Sequence, residues 1–295
     1  MTPTSTIRVV GEIMVDVIAR TPSAPAPGSD TPATITDEDG GSAANVAAWL
    51  AHLGSPVQLI ARVGDDARGG AALDRLAEAG VAVNAVRDPV FPTGRCVVLV
   101  APDGERTMFP DPGANSHLAS MDIDPAPWRR GDHLHVSGYS LLREGSREAA
   151  LTALVEARRR GLTVSVDASS EAPLHIVGAE TFLGWLEEGD LLFANAAEAR
   201  ALTSVFSTGD ALDLLASRSL TPIIKLGGEG AVAARGTERW GAPAEPAEVE
   251  DTTGAGDAFA AGFLSSWVPQ GDMAAALRHA TRIAARAVTR PGGRP

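Results

Sequence analysis

The stretch Asp251–Trp267, DTTGAGDAFAAGFLSSW, sets two glycines and a carboxylate directly before an apolar run. Phe259, Phe263 and Trp267 fall at i, i+4 and i+8, the spacing of one buried helix face. The glycines then stand at a helix start, where backbone N–H groups lack intrahelical partners. Together with the helix dipole, the N–H groups of Gly254, Ala255 and Gly256 make an anion site that a phosphate can approach closely. Asp257 lies at the edge of that cradle. A carboxylate beside an anion is unfavourable unless it has a task. Its natural task is general base toward a hydroxyl that attacks a phosphoryl group. The bland alternative is an acidic residue that complements the helix dipole. Neither the Walker sequence nor a dinucleotide fingerprint after an early strand is present, so a phosphate-handling kinase of another design fits better.

Such a site needs strands and helices to carry it. Apolar segments alternate with helical ones: VQLIARVG, DHLHVSG, LTVSVDA, DLLFAN and PIIKLG read as strands. Between and around them, Ala43–His52, DARGGAALDRLAEAG, REGSREAALTALVEARRRG, AETFLGWLEEG, ALDLLASRS and DMAAALRHATRIAARAV read as helices. That alternation predicts an α/β fold, a central mostly parallel sheet with helices on both faces. Ligands then bind beyond the carboxyl ends of the strands, where Asp16, Asp167, Asn195 with Glu198, and Gly227-Gly228 fall. Ile7 to Ile18 reads as one strand broken by Gly11. Two stretches, about 19–39 and 84–113, are rich in turns and short β pieces and predict a small β lid outside the main core. The whole chain, 1–295, reads as one domain.

Composition narrows the function classes. The net charge of −12 argues against a nucleic-acid surface, which needs clustered Lys and Arg. One cysteine, Cys96 within CVVLV, excludes an intrachain disulfide and a cysteine metal cluster, and its setting predicts a packed thiol. The N-terminus lacks the pattern of a signal peptide, and no run of about 18 apolar residues could span a bilayer. A cytoplasmic location with no membrane partner is expected.

DTTGAGDAFAAGF and GGSAANVAAWLAHLG resemble the two signatures of the PfkB, or ribokinase-like, carbohydrate kinases. GEIMVD, VGDDARGG, GERTMFPDPGAN, NAAE, KLGGEG and AVTRPGG follow in the family's order, so the resemblance spans nearly the whole chain. It implies a ribokinase-like fold and ATP-dependent transfer to a hydroxymethyl group of a small sugar. Asp257 would be the base, and Gly254, Ala255 and Gly256 would hold the transferred phosphoryl. Asp16, Gly41 and Asn45 would bind acceptor hydroxyls; for Asp16 a turn cap, and for Asn45 a helix-start hydrogen bond, are the plain alternatives. Asn195 and Glu198 match the element that organises Mg²⁺ through water, although the same pair has the form of a capping box. Lys225, Gly227, Gly228 and Gly230 match the nucleotide loop, and Thr281 falls near the adenine pocket. Asp251 and Thr253, with backbone oxygens near Ala287, Arg290 and Gly292, match a monovalent-cation site and imply potassium activation. In relatives the lid often forms a homodimer contact.

The acceptor is less defined. Ser42 stands where ribokinases proper carry lysine, and Arg106 on the lid would meet an acidic sugar or a nucleotide phosphate, or lie exposed. A nucleoside kinase on the same fold is the alternative, with Val97, Phe109 or Tyr139 lining a base pocket. A non-catalytic nucleotide or sugar sensor is a second.

Overall fold

Residues 5–102 and 105–295 are described by the computed structural model. In chain order, β1 (Ile7–Val10) is followed by β2 (Met14–Arg20), β3 (Thr34–Gly40), α1 (Ser42–His52), β4 (Val57–Gly64), α2 (Ala67–Glu78) and β5 (Ala82–Asp88). Next come β6 (Gly94–Val100), β7 (Arg106–Asp111), β8 (His133–Ser137), α3 (Gly138–Leu142), α4 (Glu144–Arg159) and β9 (Thr163–Asp167). The run α5 (Glu171–Val177), α6 (Ala179–Leu183), β10 (Leu191–Asn195), α7 (Ala196–Thr203), α8 (Thr208–Ser217) and β11 (Thr221–Lys225) follows. A hairpin of β12 (Ala231–Arg235) and β13 (Glu238–Ala242) precedes α9 (Ala255–Gln270) and α10 (Met273–Ala287).

The strands make a nine-stranded sheet ordered β13-β12-β11-β10-β9-β8-β1-β4-β5 and a four-stranded sheet ordered β3-β2-β6-β7. From β5 to β11 the large sheet is parallel, and only the β12–β13 hairpin at its edge runs antiparallel. Helices cover both faces, so central strands are apolar at consecutive positions. In β10, Leu191 and Phe193 join the core under α1, α9 and α10, while Leu192 and Ala194 join the core under α4 and α8. Phe193 packs edge-on against Phe259 and Phe263, ring centres 6.5 and 5.4 Å away. The i, i+4 face of α9 is thereby set against the sheet, and its N-terminus arrives at the strands' carboxyl ends.

In the small sheet, Met14, Ile18, Cys96, Val98 and Val100 form a buried cluster. Burial pushes the Cys96 thiol up to about 11, which suits an inert packed side chain. Alternation along the strands sends Ile35, Val97 and Phe109 to the opposite face, where all three are exposed.

Four expectations need correction. The Ile7–Ile18 strand is two strands in two sheets, because the chain turns out of the main sheet at Gly11. The small sheet therefore begins at Met14, before position 19. Ala82–Asp88 pairs with β4 in the large sheet, so the second excursion starts after Asp88 and not at 84; its half-exposed residues reflect an edge strand, not a lid. In AETFLGWLEEG only Ala179–Leu183 is helical. Asp103 and Gly104, the turn of the PDG segment, lie outside the described residues.

β8 and β9 carry a polar chain inside the sheet. The His133 ring sits 2.8 Å from both Thr163 Oγ1 and Ser165 Oγ, and His135 Nδ1 lies 2.8 Å from the same Ser165 Oγ. Burial lowers His133 to about 3 and His135 to about 4. Both are folded as neutral rings, whereas the unfolded chain binds protons below about pH 6.5. Their contribution is therefore complete above that pH and lost as pH falls toward the folded values. Stability should drop by up to about 1.4 kcal/mol per pH unit per histidine below about pH 6.5. Urea unfolding of the wild type and of a His133→Gln/His135→Gln variant between pH 7 and 5 checks this; equal slopes would refute it.

Candidate active site

The chain reaches the site from its two ends. Gly41 has φ +93°, and a Cβ there would lie 2.5 Å from Glu12 O, so the backbone crossing that starts α1 requires glycine. Ser42 and Asn45 then stand one turn apart on α1, facing α9. Ser42 Oγ donates to Asp257 Oδ1 at 2.7 Å, and Asn45 Nδ2 donates to Asp257 Oδ2 at 2.9 Å. Both oxygens of the carboxylate are held. Burial is the dominant influence and pushes Asp257 up to about 7; the two hydrogen bonds hold it back, Asp167 adds to the rise, and Lys225 opposes it.

Gly254 caps α9 at φ +71° with no side-chain capping bond, so no side chain blocks the helix start, although Ala255 N already donates to Thr252 O at 3.2 Å. A Cβ on Gly254 would come within 2.5 Å of Gly293 Cα, which fixes glycine at that turn. Lys225, at the end of β11, reaches the same place: a Cβ on Gly256 would lie 3.3 Å from its Nζ. Its Nζ also donates to Asp167 Oδ2 at 2.8 Å. Burial works against the ammonium, but the Asp167 and Glu198 charges outweigh it and raise its pKa. Lys225 thus stands as a held cation beside the first turn of α9.

Asn195 and Glu198 form a complete capping box at the start of α7. Glu198 Oε2 accepts from Asn195 N at 2.8 Å, Oε1 accepts from Asn195 Nδ2 at 2.7 Å, and Asn195 Oδ1 accepts from Glu198 N at 2.8 Å. Burial raises the Glu198 pKa, against the pull of Lys225. With both carboxylate oxygens engaged, Glu198 suits a hydrated cation better than direct ligation.

Asp16 lies on β2, and a Cβ on Gly40 would strike its carboxylate at 2.4 Å. Burial raises Asp16 to about 6; Arg294 and Arg106 oppose the rise while Glu38 and Asp39 add to it. Arg106 is not an exposed strand arginine. It crosses from β7 to pair with buried Asp251 at 2.5 Å. Asp251 Oδ1 also accepts from Thr253 N at 2.6 Å, and Oδ2 accepts from Gly292 N at 3.1 Å. Ala287 ends α10, and Arg290 and Gly292 lie in the turn that follows, which meets this carboxylate through Gly292 N. A cation reaching Asp251 would compete with Arg106.

Some expected residues stand apart. Thr281 is buried in α10 and donates to Arg278 O at 3.1 Å. Gly227 and Gly228 are exposed in a short turn, whereas Gly230 is required by the hairpin, since a Cβ there would meet Ala242 O at 2.1 Å. Val97 and Phe109 lie on the sheet face opposite Asp16, because Asp16 pairs with Cys96 in the register; they do not share its pocket. Three site residues received no role from sequence. Glu12 is buried, and its Oε1 accepts from Ser42 N at 3.0 Å and Ser137 Oγ at 3.1 Å. Asp167 holds Lys225, and its place at a strand end was the available signal. Arg294 reaches Asn45 Oδ1 at 3.3 Å and Gly40 O at 3.0 Å, with no motif to announce it.

Taken together, a carboxyl that titrates near neutrality adjoins an uncapped helix start and an ammonium group, an arrangement able to take a proton from a hydroxyl while steadying an anion. Comparison with known proteins identifies the family. The pfkB family carbohydrate kinase pattern matches residues 4–295. The chain is 35% identical over 260 residues to an ATP-dependent ribose-1-phosphate kinase of Halopiger xanaduensis, covering 86% of this chain and 82% of that one. An adenosine kinase from Sinorhizobium meliloti superimposes with a TM-score of 0.87 at 27% identity, covering 99% of this chain and 96% of that one. A ribokinase from Thermotoga maritima gives 0.83 at 25% identity, with 98% and 94% covered, so the fold is ribokinase-like.

The grip on Asp257 makes a direct prediction. Each charge-assisted hydrogen bond is worth about 1.5–3 kcal/mol, so removing one should raise the carboxyl pKa by about one unit or more. Carboxyl ¹³C NMR titration of Ser42→Ala and Asn45→Ala should show that rise above the wild-type value near 7. An unchanged midpoint in both variants would refute it.

Proposed function

The chain belongs to the pfkB family of carbohydrate kinases, which are ATP-dependent phosphotransferases, and we propose that it moves the γ-phosphoryl of ATP to a hydroxymethyl group of a small sugar or sugar-like acceptor. The observation that carries this reading is the doubly held Asp257 at the open N-terminus of α9.

The acceptor hydroxyl gives its proton to Asp257 as its oxygen bonds to the γ-phosphorus. The bond from that phosphorus to the β,γ-bridging oxygen breaks, and ADP leaves. The Gly254, Ala255 and Gly256 amides, with Lys225, meet the charge on the transferring group, an electrostatic preorganisation that is usually the largest catalytic contribution. Asp16, Gly41, Asn45 and Arg106 bind and orient the acceptor, and the small sheet closes over it to exclude water. Asn195, Lys225, Gly227 and Gly228 would take the ATP side, with Gly230 shaping the turn that carries the loop. Asn195 and Glu198 would hold Mg²⁺ through water, which supplies neutralisation of the ATP phosphates. Asp251 and Thr253, with backbone oxygens near Ala287, Arg290 and Gly292, would hold potassium in competition with Arg106. Two copies pair through the exposed apolar face of the small sheet, Ile35, Val97 and Phe109, and the enzyme works in the cytoplasm. A nucleoside acceptor is the second reading, favoured by the likeness to the adenosine kinase.

Three outcomes follow for ADP release with Mg·ATP over a panel of sugars and nucleosides. Asp257→Asn should lower kcat by about 10²–10⁴-fold; a variant keeping more than about a tenth of the wild-type rate would remove the base. The base must be ionised, so the wild-type rate should climb with pH through about 7 and level off above it. Potassium should give faster turnover than choline at equal ionic strength, and equal rates would take the cation out of the scheme.

A further inference from the structure

The small sheet leaves the body of the molecule at one end and is tied back to it by a charge at the other. Its strands meet the body at Met14, Gly40, Gly94 and Asp111, which share one end of the register: Met14 pairs with Gly40 and Gly94, and Arg95 with Asp111. The backbone is closely seated there, since a Cβ on Gly94 would strike Asn115 Nδ2 at 2.3 Å. Arg106 pairs with Val100 at the opposite end. It begins the edge strand β7, in which Thr107 to Asp111 are exposed and Arg106 is half-buried.

Arg106 Nη2 lies 2.5 Å from Asp251 Oδ1, and the two side chains are 22% and 4% exposed. Asp251 leads the turn into α9 and holds its shape, because Oδ1 also accepts from Thr253 N and Oδ2 accepts from Gly292 N. The far end of the small sheet is thereby joined to the loop that carries Gly254. Among the described residues, Arg106 is the one cation paired with Asp251. Arg75 and Arg294 are both committed to Asp39. Glu38 is a like charge close by, its Oε2 3.2 Å from where a Cβ on Gly292 would stand. Without Arg106, Asp251 would be a buried carboxylate with no counter-charge, and it would leave its two amides for water or take up a proton.

We propose that Arg106, beyond orienting the acceptor, is a positioning residue for phosphoryl transfer: with the small sheet closed, its charge fixes Asp251 and through it the turn that starts α9. This rests on the kinase reading. Closure over the acceptor then completes the cradle for the phosphoryl group, and opening withdraws the guanidinium and loosens that cradle. A monovalent cation can answer the same carboxylate, but only Arg106 travels with the sheet. ATP is thus held for transfer chiefly when an acceptor is enclosed, which limits loss to water.

Hydrogen exchange read by mass spectrometry, and initial rates of ADP release with Mg·ATP and the fastest acceptor of the sugar and nucleoside panel, test the proposal on the full chain. In Arg106→Gln the peptides carrying the Thr253 and Gly292 amides should exchange about tenfold faster or more, while residues 258–264 of α9 keep their protection. At saturating acceptor kcat should fall by about 10–100-fold, with acceptor-free ADP release little changed. Arg106→Lys keeps a charge at this single-point contact and should retain about a third of the rate or more. Adding Arg106→Gln to Asp251→Asn should lower kcat by less than about threefold further, since both remove one interaction. A raised acceptor KM at unchanged kcat would overturn the positioning role, and so would wild-type exchange at Thr253 and Gly292 in Arg106→Gln. No ADP from the wild type with any acceptor would bring down the kinase reading and with it the catalytic task of Arg106, leaving the exchange rates to judge the tie between sheet and turn.

Discussion

The molecule is organised around a carboxylate gripped from two sides. Ser42 and Asn45 on α1 take the two oxygens of Asp257 on α9, across 215 and 212 residues of sequence. Neither helix could shift by an ångström without breaking a charge-assisted hydrogen bond, each worth about 1.5–3 kcal/mol. The same two helices also contribute to one apolar core, with Ala43, Ala47 and Leu50 from α1 and Ala258, Ala261 and Leu264 from α9. The closing segment is threaded through this joint. Trp49 Nε1 donates to Gly293 O at 3.0 Å, and Gly293 in turn leaves no room for a Cβ at Gly254. Packing and the turn that starts α9 thus meet at one joint.

Electrostatics divides labour among groups that sit close together. Asp257 and Asp16 are both raised by burial, to about 7 and about 6, while Lys225 is kept charged by Asp167 and Glu198. A base that titrates near neutrality can accept a proton and later release it. A lysine held firmly cationic beside it can steady phosphate oxygens throughout the reaction. These opposite settings arise from ordinary causes: which group has an ion partner, and which has only neutral hydrogen bonds.

Much of this was legible in the sequence because it is local. The i, i+4 stripe of Phe259, Phe263 and Trp267 and the capping box of Asn195 and Glu198 are decided within one or two helical turns, and their geometry follows. Features set by distant contacts were not legible. Ala82–Asp88 has the half-polar pattern of any edge strand, and only pairing with β4 reveals its sheet. Gly230 reads like a nucleotide-loop glycine until the β13 backbone is found against it. Glu12, beneath Ser42, and Arg294, beside Asn45, carry no local signal because their meaning lies in partners brought together only by the fold.

That joint also has a consequence for synthesis. As the chain emerges from a ribosome, α1 is made early, with Ala43, Val46, Ala47 and Leu50 belonging to a core that α9 and α10 complete. Its cover begins at Ala255, more than two hundred residues later. At roughly 5–20 residues per second, that interval lasts on the order of ten seconds or more. Throughout it the nascent protein carries an unmatched greasy helix and half of the proposed catalytic centre. Chaperone capture of ribosome-bound intermediates should therefore centre on the N-terminal third and end only when the last two helices arrive.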